Sequence, residues 1–369
     1  MTKGARVACI PASGEHSYLQ SLYGALSAHD VRVTIDGASF DDAFLQQHRD
    51  EFELLHLHWP EHLWGAGRLS KRERLRGVAG FWRFLRTARR LRIPVIWSLH
   101  NLQPHEGGDW IDAIGYRLLA RHSALVICHD QSARREFLHR YPSAPGDLVV
   151  MRLGTSTSTW PIPCNRAATR RLLGLMPSDR LLVCFGLLRP YKGFDIAIEA
   201  LHHLEPEYRL VIAGEPSIDS HLQALQRRAA GSDRVTIIPR KLSDQELVDL
   251  LEASDCVLFP YREITGSAAL LGALTQRRGV VASDLPFFRD TLQFAPDAGV
   301  FCSPGDAAAL ANAIREFFEV PTEIRGAAAA TVAGTSHPAR RRRHQANPSF
   351  AIASSGAIRA NVANMAWQS

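Results

Sequence analysis

The sequence predicts two doubly wound α/β domains in tandem. Three observations carry this expectation. Short apolar or β-branched runs alternate with helix-length amphipathic segments, which is the pattern of parallel sheets built from βαβ units. The alternation restarts after a Ser, Thr and Pro-rich stretch, Thr155 to Pro163. A chain of 369 residues is also too long for one ordinary domain and suits two, at roughly 100 to 200 residues each.

In the first half the strand candidates are Arg6–Ile10, Val31–Ile35, Glu53–His58, Pro94–Leu99, Ala124–Cys128 and Leu148–Met151. The second half offers Arg180–Phe185, Tyr208–Ala213, Val235–Ile238, Cys256–Pro260, Gly279–Ser283 and Gly299–Phe301, with helices over Phe194–His203, Asp219–Ala230, Asp244–Ala253, Ser267–Gln276 and Ala307–Phe318. The expected division is therefore residues 1–153 for the first domain, 154–165 for a linker and 166–319 for the second domain. From 320 to 369 the chain turns Ala-rich and basic without a sustained apolar period, so an irregular tail is expected there.

Hydrophobic residues make up 46% and charged residues 22%, enough apolar surface to build two cores without staples. The six cysteines lie far apart, four of them inside apolar runs, and none has zinc-ligand spacing. With no charged-then-apolar leader and no bilayer-length apolar run, the expectation is a cytoplasmic protein that meets a membrane, if at all, at its surface. A net charge of +6 favours anionic partners. The densest basic segment, Lys71 to Arg92, holds a single acid, Glu73, and interleaves Val78, Phe81, Trp82, Phe84 and Leu85. It reads as an amphipathic helix with one apolar and one cationic face, suited to packing on a sheet or to docking at an anionic bilayer.

Two segments of the second half can hold phosphate. In Phe185–Gly193, between a strand and a helix, Gly186 lets the backbone turn closely, and Arg189 and Lys192 ahead of Gly193 can reach a diphosphate at the helix N-terminus. In Pro260–Leu271, Glu263 can accept hydrogen bonds from sugar hydroxyls, while Thr265, Gly266 and Ser267 offer hydroxyls and backbone N–H groups. Ser267 is also expected to cap the following helix. In the first half, Leu55–Glu61 and Trp97–Glu106 follow strands and bring His56, His58, Glu61, His100, His105 and Glu106 to one end of a sheet. A histidine or carboxylate there can activate an acceptor hydroxyl. Taken singly, each histidine reads more simply as a buried ring satisfied by backbone; the cluster is the signal.

Gly186 to Gly193, the strand end Ala213-Gly214-Glu215 and the stretch Glu263 to Asp284 together resemble glycosyltransferase family 4, also called group 1. The resemblance covers roughly Leu181 to Phe318 and implies the GT-B fold, two Rossmann-like doubly wound domains facing across a cleft. It implies donor binding by Gly186, Arg189, Lys192, Gly193, Glu215, Glu263, Thr265, Gly266 and Ser267. A nucleotide-sugar is then a substrate, and neither a cofactor nor a metal is required. The family commonly places two glutamates in the last motif; aligned on Val280–Asp284, the second falls on Gly272, where this chain has no carboxylate.

The histidine-containing stretches and the Pro260–Glu263 loop resemble bacterial exopolysaccharide glycosyltransferases, the β-mannosyltransferases of xanthan-type assembly among them. That narrower resemblance implies GDP-mannose as donor, a glycan or polyprenyl-diphosphate-linked oligosaccharide as acceptor, inversion at the anomeric carbon, and work at the inner face of the plasma membrane. Among the candidate bases His58, Glu61, His100, His105 and Glu106, the preferred pair is His105 and Glu106. No nucleic-acid partner is expected. Other readings stay open: UDP-glucose or UDP-glucuronate as donor, an epimerase on the same fold, or a non-catalytic protein that binds glycan or lipid.

Overall fold

The computed structural model describes residues 4–11, 17–37, 41–65, 69–102, 108–151, 160–264 and 266–336. These fall into two compact units that divide between Arg152 and Leu153.

In the first unit, β1 (Ala5–Ile10), α1 (Ser17–Ser27), β2 (Val31–Asp36), α2 (Asp42–His48), β3 (Leu54–Leu57), α3 (Lys71–Arg90), β4 (Val95–Leu99), α4 (Trp110–His122), β5 (Ser123–Cys128), α5 (Gln131–Arg140) and β6 (Asp147–Val150) follow one another. The six strands form one parallel sheet in the order β2-β1-β3-β4-β5-β6. Strands β3 and β4 are buried along their whole length, as expected of a sheet covered on both faces. The order reverses between β1 and β3, the place at which a doubly wound sheet takes its ligands at the carboxyl ends of its strands.

Helix α3 begins in a capping box between Ser70 and Glu73. It buries Val78, Phe81, Phe84 and Leu85 and leaves Arg72, Arg76, Trp82, Arg83 and Arg86 exposed. The wholly buried Trp64 wedges it against α4: a Cβ on either Gly77 or Gly115 would lie within 3 Å of Trp64. The indole N–H of Trp64 donates to Asp112, which with Asp109 also receives the Arg74 guanidinium at 2.7–3.0 Å. Arg74 thus leaves the cationic face and ties α3 to the start of α4.

The second unit contains α6 (Arg166–Leu172), β7 (Arg180–Phe185), α7 (Phe194–Ala200), β8 (Tyr208–Ala213), α8 (Asp219–Ala229), β9 (Val235–Ile238), α9 (Asp244–Ala253), β10 (Cys256–Phe259), α10 (Ala268–Thr275), β11 (Val280–Ser283), α11 (Pro286–Leu292), β12 (Gly299–Cys302), α12 (Ala307–Phe317) and α13 (Thr322–Ser336). Its parallel sheet runs β12-β11-β10-β7-β8-β9, so the reversal lies between β7 and β10. The two phosphate-type segments are the loops after these two strands. A doubly wound sheet opens its ligand crevice at that place.

The expected irregular tail is corrected over part of its length. Residues 322–336 form α13, whose Ala329, Val332 and Ala333 join the apolar core of the second unit. Alanine is the strongest helix former, and small side chains let the helix lie close on its neighbours, so weak apolar periodicity did not prevent folding. Residues 337–369 lie outside the described residues, as do 154–159 of the expected linker.

Candidate functional site

The loop after β7 is shaped by backbone that only glycine adopts easily. Gly193 sits at φ +64°, and a Cβ there would overlap the carbonyl oxygen of Pro260 in the loop after β10. Gly186, at φ +101°, leaves room for Lys192, whose Nζ lies 2.5 Å from where a Cβ would stand. The two loops are then stitched together. The backbone N–H of Arg262 donates to Tyr191 at 2.7 Å, and its guanidinium donates to the Pro190 carbonyl at 2.7 Å and to both Asp195 oxygens.

Lys192 is no ordinary loop charge. It is 6% exposed, with its ammonium 5.8 Å from the centre of the Phe194 ring and 5.7 Å from that of Tyr261. Among the described residues no carboxylate pairs with it. Burial, then the neighbouring Arg189, pushes its amine down to about 8. The Arg189 guanidinium beside it has a buried Nε without a partner among the described residues. Two cationic groups with no carboxylate partner among the described residues, at the crevice of a doubly wound sheet, are suited to an anion.

The other expected donor residues are placed as follows. The backbone carbonyl of Glu215 accepts from Leu188, fixing the loop after β8 against the loop after β7, while its carboxylate is exposed. Glu263 is exposed; the Tyr191 phenol is raised by its burial first, with the charge of Glu263 adding to it against that of Arg189. Ser267 caps α10 by accepting from the Leu270 N–H at 3.1 Å, and Gly266 precedes it; Thr265 lies outside the described residues. Gly272 is not an empty place for a missing carboxylate, because the Trp160 ring lies 2.8 Å from where its Cβ would be. Sequence reading missed the Arg262–Asp195 pair and the aromatic floor made by Tyr261, since no local spacing links residues so far apart.

In the first unit the loops after β3, β4 and β5 assemble an aromatic and histidine cluster at the carboxyl end of the sheet. His56 Nδ1 and His58 Nε2 lie 2.9 and 3.5 Å from the Tyr23 hydroxyl, and His58 Nδ1 lies 3.0 Å from His100 Nε2. Trp59, held at φ +43°, stacks on His100 with ring centres 4.4 Å apart. Positive φ in a bulky residue is strained and is kept where surrounding contacts require it. His129, after β5, lies 5.0 Å from His100. It and Tyr23 were not singled out in the sequence, although the placement that pointed to His58 and His100, just past a strand, applies equally to His129.

Glu61 stands apart from this cluster. Its carboxylate accepts from the buried Tyr116 hydroxyl at 2.9 Å. The preferred pair His105 and Glu106 lies outside the described residues. Among the described residues no group of three or more histidine, cysteine or acidic side chains is arranged to hold a metal. The cysteines are all free, and only Cys164 is exposed.

Two six-stranded parallel sheets with helices, one sheet in each unit, are the architecture of the GT-B fold. Residues 165–330 match the group 1 glycosyl transferases, and the chain is a glycosyltransferase with that domain in its second unit. It is similar to the GDP-mannose:glycolipid 4-beta-D-mannosyltransferase of Xanthomonas campestris pv. campestris, 28% identical over 318 residues that cover 84% of this chain and 82% of that protein. The lipopolysaccharide core biosynthesis mannosyltransferase LpsB of Rhizobium meliloti is 22% identical over 68% of this chain and 70% of its own length. Among solved structures, Anabaena Alr3699/HepE in complex with UDP and glucose superposes with a TM-score of 0.68 at 16% identity, covering 90% of this chain and 94% of that one. No described helix is long and apolar enough to cross a membrane.

Proposed function

We propose that this glycosyltransferase moves mannose from GDP-mannose to a lipid-linked glycan during exopolysaccharide assembly, inverting the anomeric carbon. The observation that carries the donor half is Lys192, a buried ammonium without a counter-ion, beside Arg189 on the loop at the sheet crevice. A nucleoside diphosphate supplies the missing charge, and the two cations stabilise it as it leaves. The mannose assignment draws support from a relative named for GDP-mannose whose likeness spans both units of the chain.

The acceptor half is assigned to the first unit. The His58–His100 pair, at the carboxyl ends of β3 and β4, serves as the base that takes the acceptor proton as the hydroxyl attacks. The exposed cationic face of α3, with Arg86 over the Trp82 ring at 4.7 Å, brings the enzyme to an anionic membrane where a lipid-linked acceptor resides.

The test is transfer itself. Purified enzyme is given GDP-mannose, UDP-glucose or UDP-glucuronate with a glycolipid acceptor, and the product linkage is read by NMR. A β-mannoside from GDP-mannose is expected. Transfer from a UDP-sugar alone, or an α-linked product, overturns the reading.

A further inference from the structure

The helical layer of the first unit exposes large apolar side chains that neither its core nor the acceptor site uses. On α3, Leu75 and Trp82 are each 40% exposed; on α4, Trp110 is 55% and Ile114 40% exposed. Single exposed apolar side chains are ordinary on a protein surface, whereas a cluster of them is not. The packing of the two helices makes this a cluster. Arg74 donates to both Asp109 oxygens, which sets Leu75 and Trp110, each the next residue in the chain, at the same level of the layer. One turn on, Trp64 lies against Gly77 of α3 and Gly115 of α4, so Ile114 keeps level with the turn that follows Leu75.

Topology decides which end of the layer this is. Strands β3, β4 and β5 are successive neighbours in a parallel sheet, so α3 and α4 are right-handed crossovers that lie on one face and begin at the carboxyl end of the sheet. Trp110 opens α4, and Leu75 stands near the start of α3. His58 and His100, just past β3 and β4, stand at the same end. Trp82 lies about two turns further along α3, roughly 10 Å away at 1.5 Å per residue.

The charge around these side chains is of one sign. Every exposed charged residue on the two helices is basic except Glu73, and the Glu73 carboxylate is engaged by the backbone and hydroxyl of Ser70 in the capping box. Arg72, Arg76, Arg83 and Arg86 flank Leu75 and Trp82 at helical spacing, and Arg117 follows Ile114 on the outer face of α4. A purely electrostatic footprint has no use for two exposed indoles. Aromatic and aliphatic side chains set among arginines suit the boundary between lipid headgroup and acyl chain, where the indole lies at the interface and the guanidinium meets phosphate.

We propose that the first turns of α3 and α4 form a bilayer-inserting face, in which Leu75, Trp110 and Ile114 enter an anionic membrane and set the carboxyl end of the first sheet against its surface. The inference rests on the reading of α3 as a membrane-docking helix and extends it. The arginines draw the enzyme to the surface, and the apolar end shared with α4 fixes its orientation there. A lipid-linked acceptor, whose glycan stands at headgroup level, then meets the histidine end of the sheet.

Binding of the full chain to vesicles of phosphatidylglycerol and phosphatidylcholine is measured by co-sedimentation at low salt and in about 1 M salt, where the Debye length falls to roughly 3 Å. Part of the wild-type binding is expected to survive high salt. Trp110→Ser combined with Ile114→Ser should weaken that part by more than about tenfold, with GDP affinity and thermal unfolding as in wild type. Trp110→Phe keeps a ring, so it should still bind, but quenching of tryptophan fluorescence by lipids brominated in their acyl chains should fall. Salt-resistant binding that is equal in wild type and the double variant, or quenching that is unchanged in Trp110→Phe, overturns the inference and leaves α3 as an electrostatic dock alone. Failure of the wild type to bind these vesicles even at low salt sinks the membrane reading as well, and turns the face toward a protein partner.

Discussion

Arg262 and Asp195 form a two-pronged ion pair, at 2.7 and 3.0 Å, that ties the loop after β10 to the first turn of α7. The same guanidinium donates to the Pro190 carbonyl, so one side chain holds both walls of the crevice. Burial pushes the Asp195 carboxyl up, but the Arg262 hydrogen bonds and charge outweigh it and the net shift is downward. A carboxyl whose folded pKa lies below its unfolded value contributes stability that is full above the unfolded pKa and is lost as pH falls through the folded one. Asp195→Asn should therefore flatten the acid side of the stability profile. Arg262→Ala should cost about 1 kcal/mol, since the arginine is 43% exposed and solvent screens the pair. Thermal unfolding and donor titration of both variants check this, and donor affinity is expected to fall more than stability because the loops lose their alignment.

The α3 face gives a prediction on membranes. Each basic residue near an anionic surface contributes about 1 kcal/mol, so Arg83→Glu with Arg86→Glu should weaken binding to vesicles containing anionic lipid by more than about tenfold. Trp82→Ala should weaken it further, and added salt should weaken binding of the wild type. Co-sedimentation measures all three. Equal binding to neutral and anionic vesicles would leave α3 as a solvated outer helix only.

Gly272 tests whether the absent glutamate is a loss or an exchange. Gly272→Glu pushes a side chain into the Trp160 ring, so it should destabilise by about 1–3 kcal/mol, the usual range for overpacking, without improving donor affinity. Adding Trp160→Ala should recover part of that stability, because contacting residues couple. Chemical denaturation of the two singles and the double variant gives the coupling directly.

Most of the architecture was legible because a parallel sheet buried on both faces writes itself as continuous apolar strands. Cys256–Phe259 and Val280–Ser283 are cases, each fully buried and each close to its expected bounds. The helix over residues 322–336 was not legible, since alanine-rich sequence reveals its helix through propensity and contact more than through pattern. At the donor loop, spacing pointed to Lys192 and Arg189 but gave no sign that Lys192 is buried between two rings. Tyr23 could not be found from sequence, because α1 reaches the histidines of β3 only through the β1–β3 reversal.

The central claim is that a donor diphosphate completes the buried charge of Lys192, and calorimetric titration with GDP across pH 6.5–9.5, roughly bracketing the amine's shifted pKa of about 8, tests it most directly. Lys192→Met removes an uncompensated buried charge, so its ligand-free fold should be no less stable than wild type. In the wild type the amine titrates at about 8 when folded and 10.5 when unfolded, so the unfolded chain binds more protons between these values and stability rises with pH across that window. The predicted result is that wild-type affinity for GDP declines as pH rises past about 8, while Lys192→Met binds at least about tenfold more weakly with no such decline. Equal affinity in the two proteins, with the same pH dependence, would contradict the account.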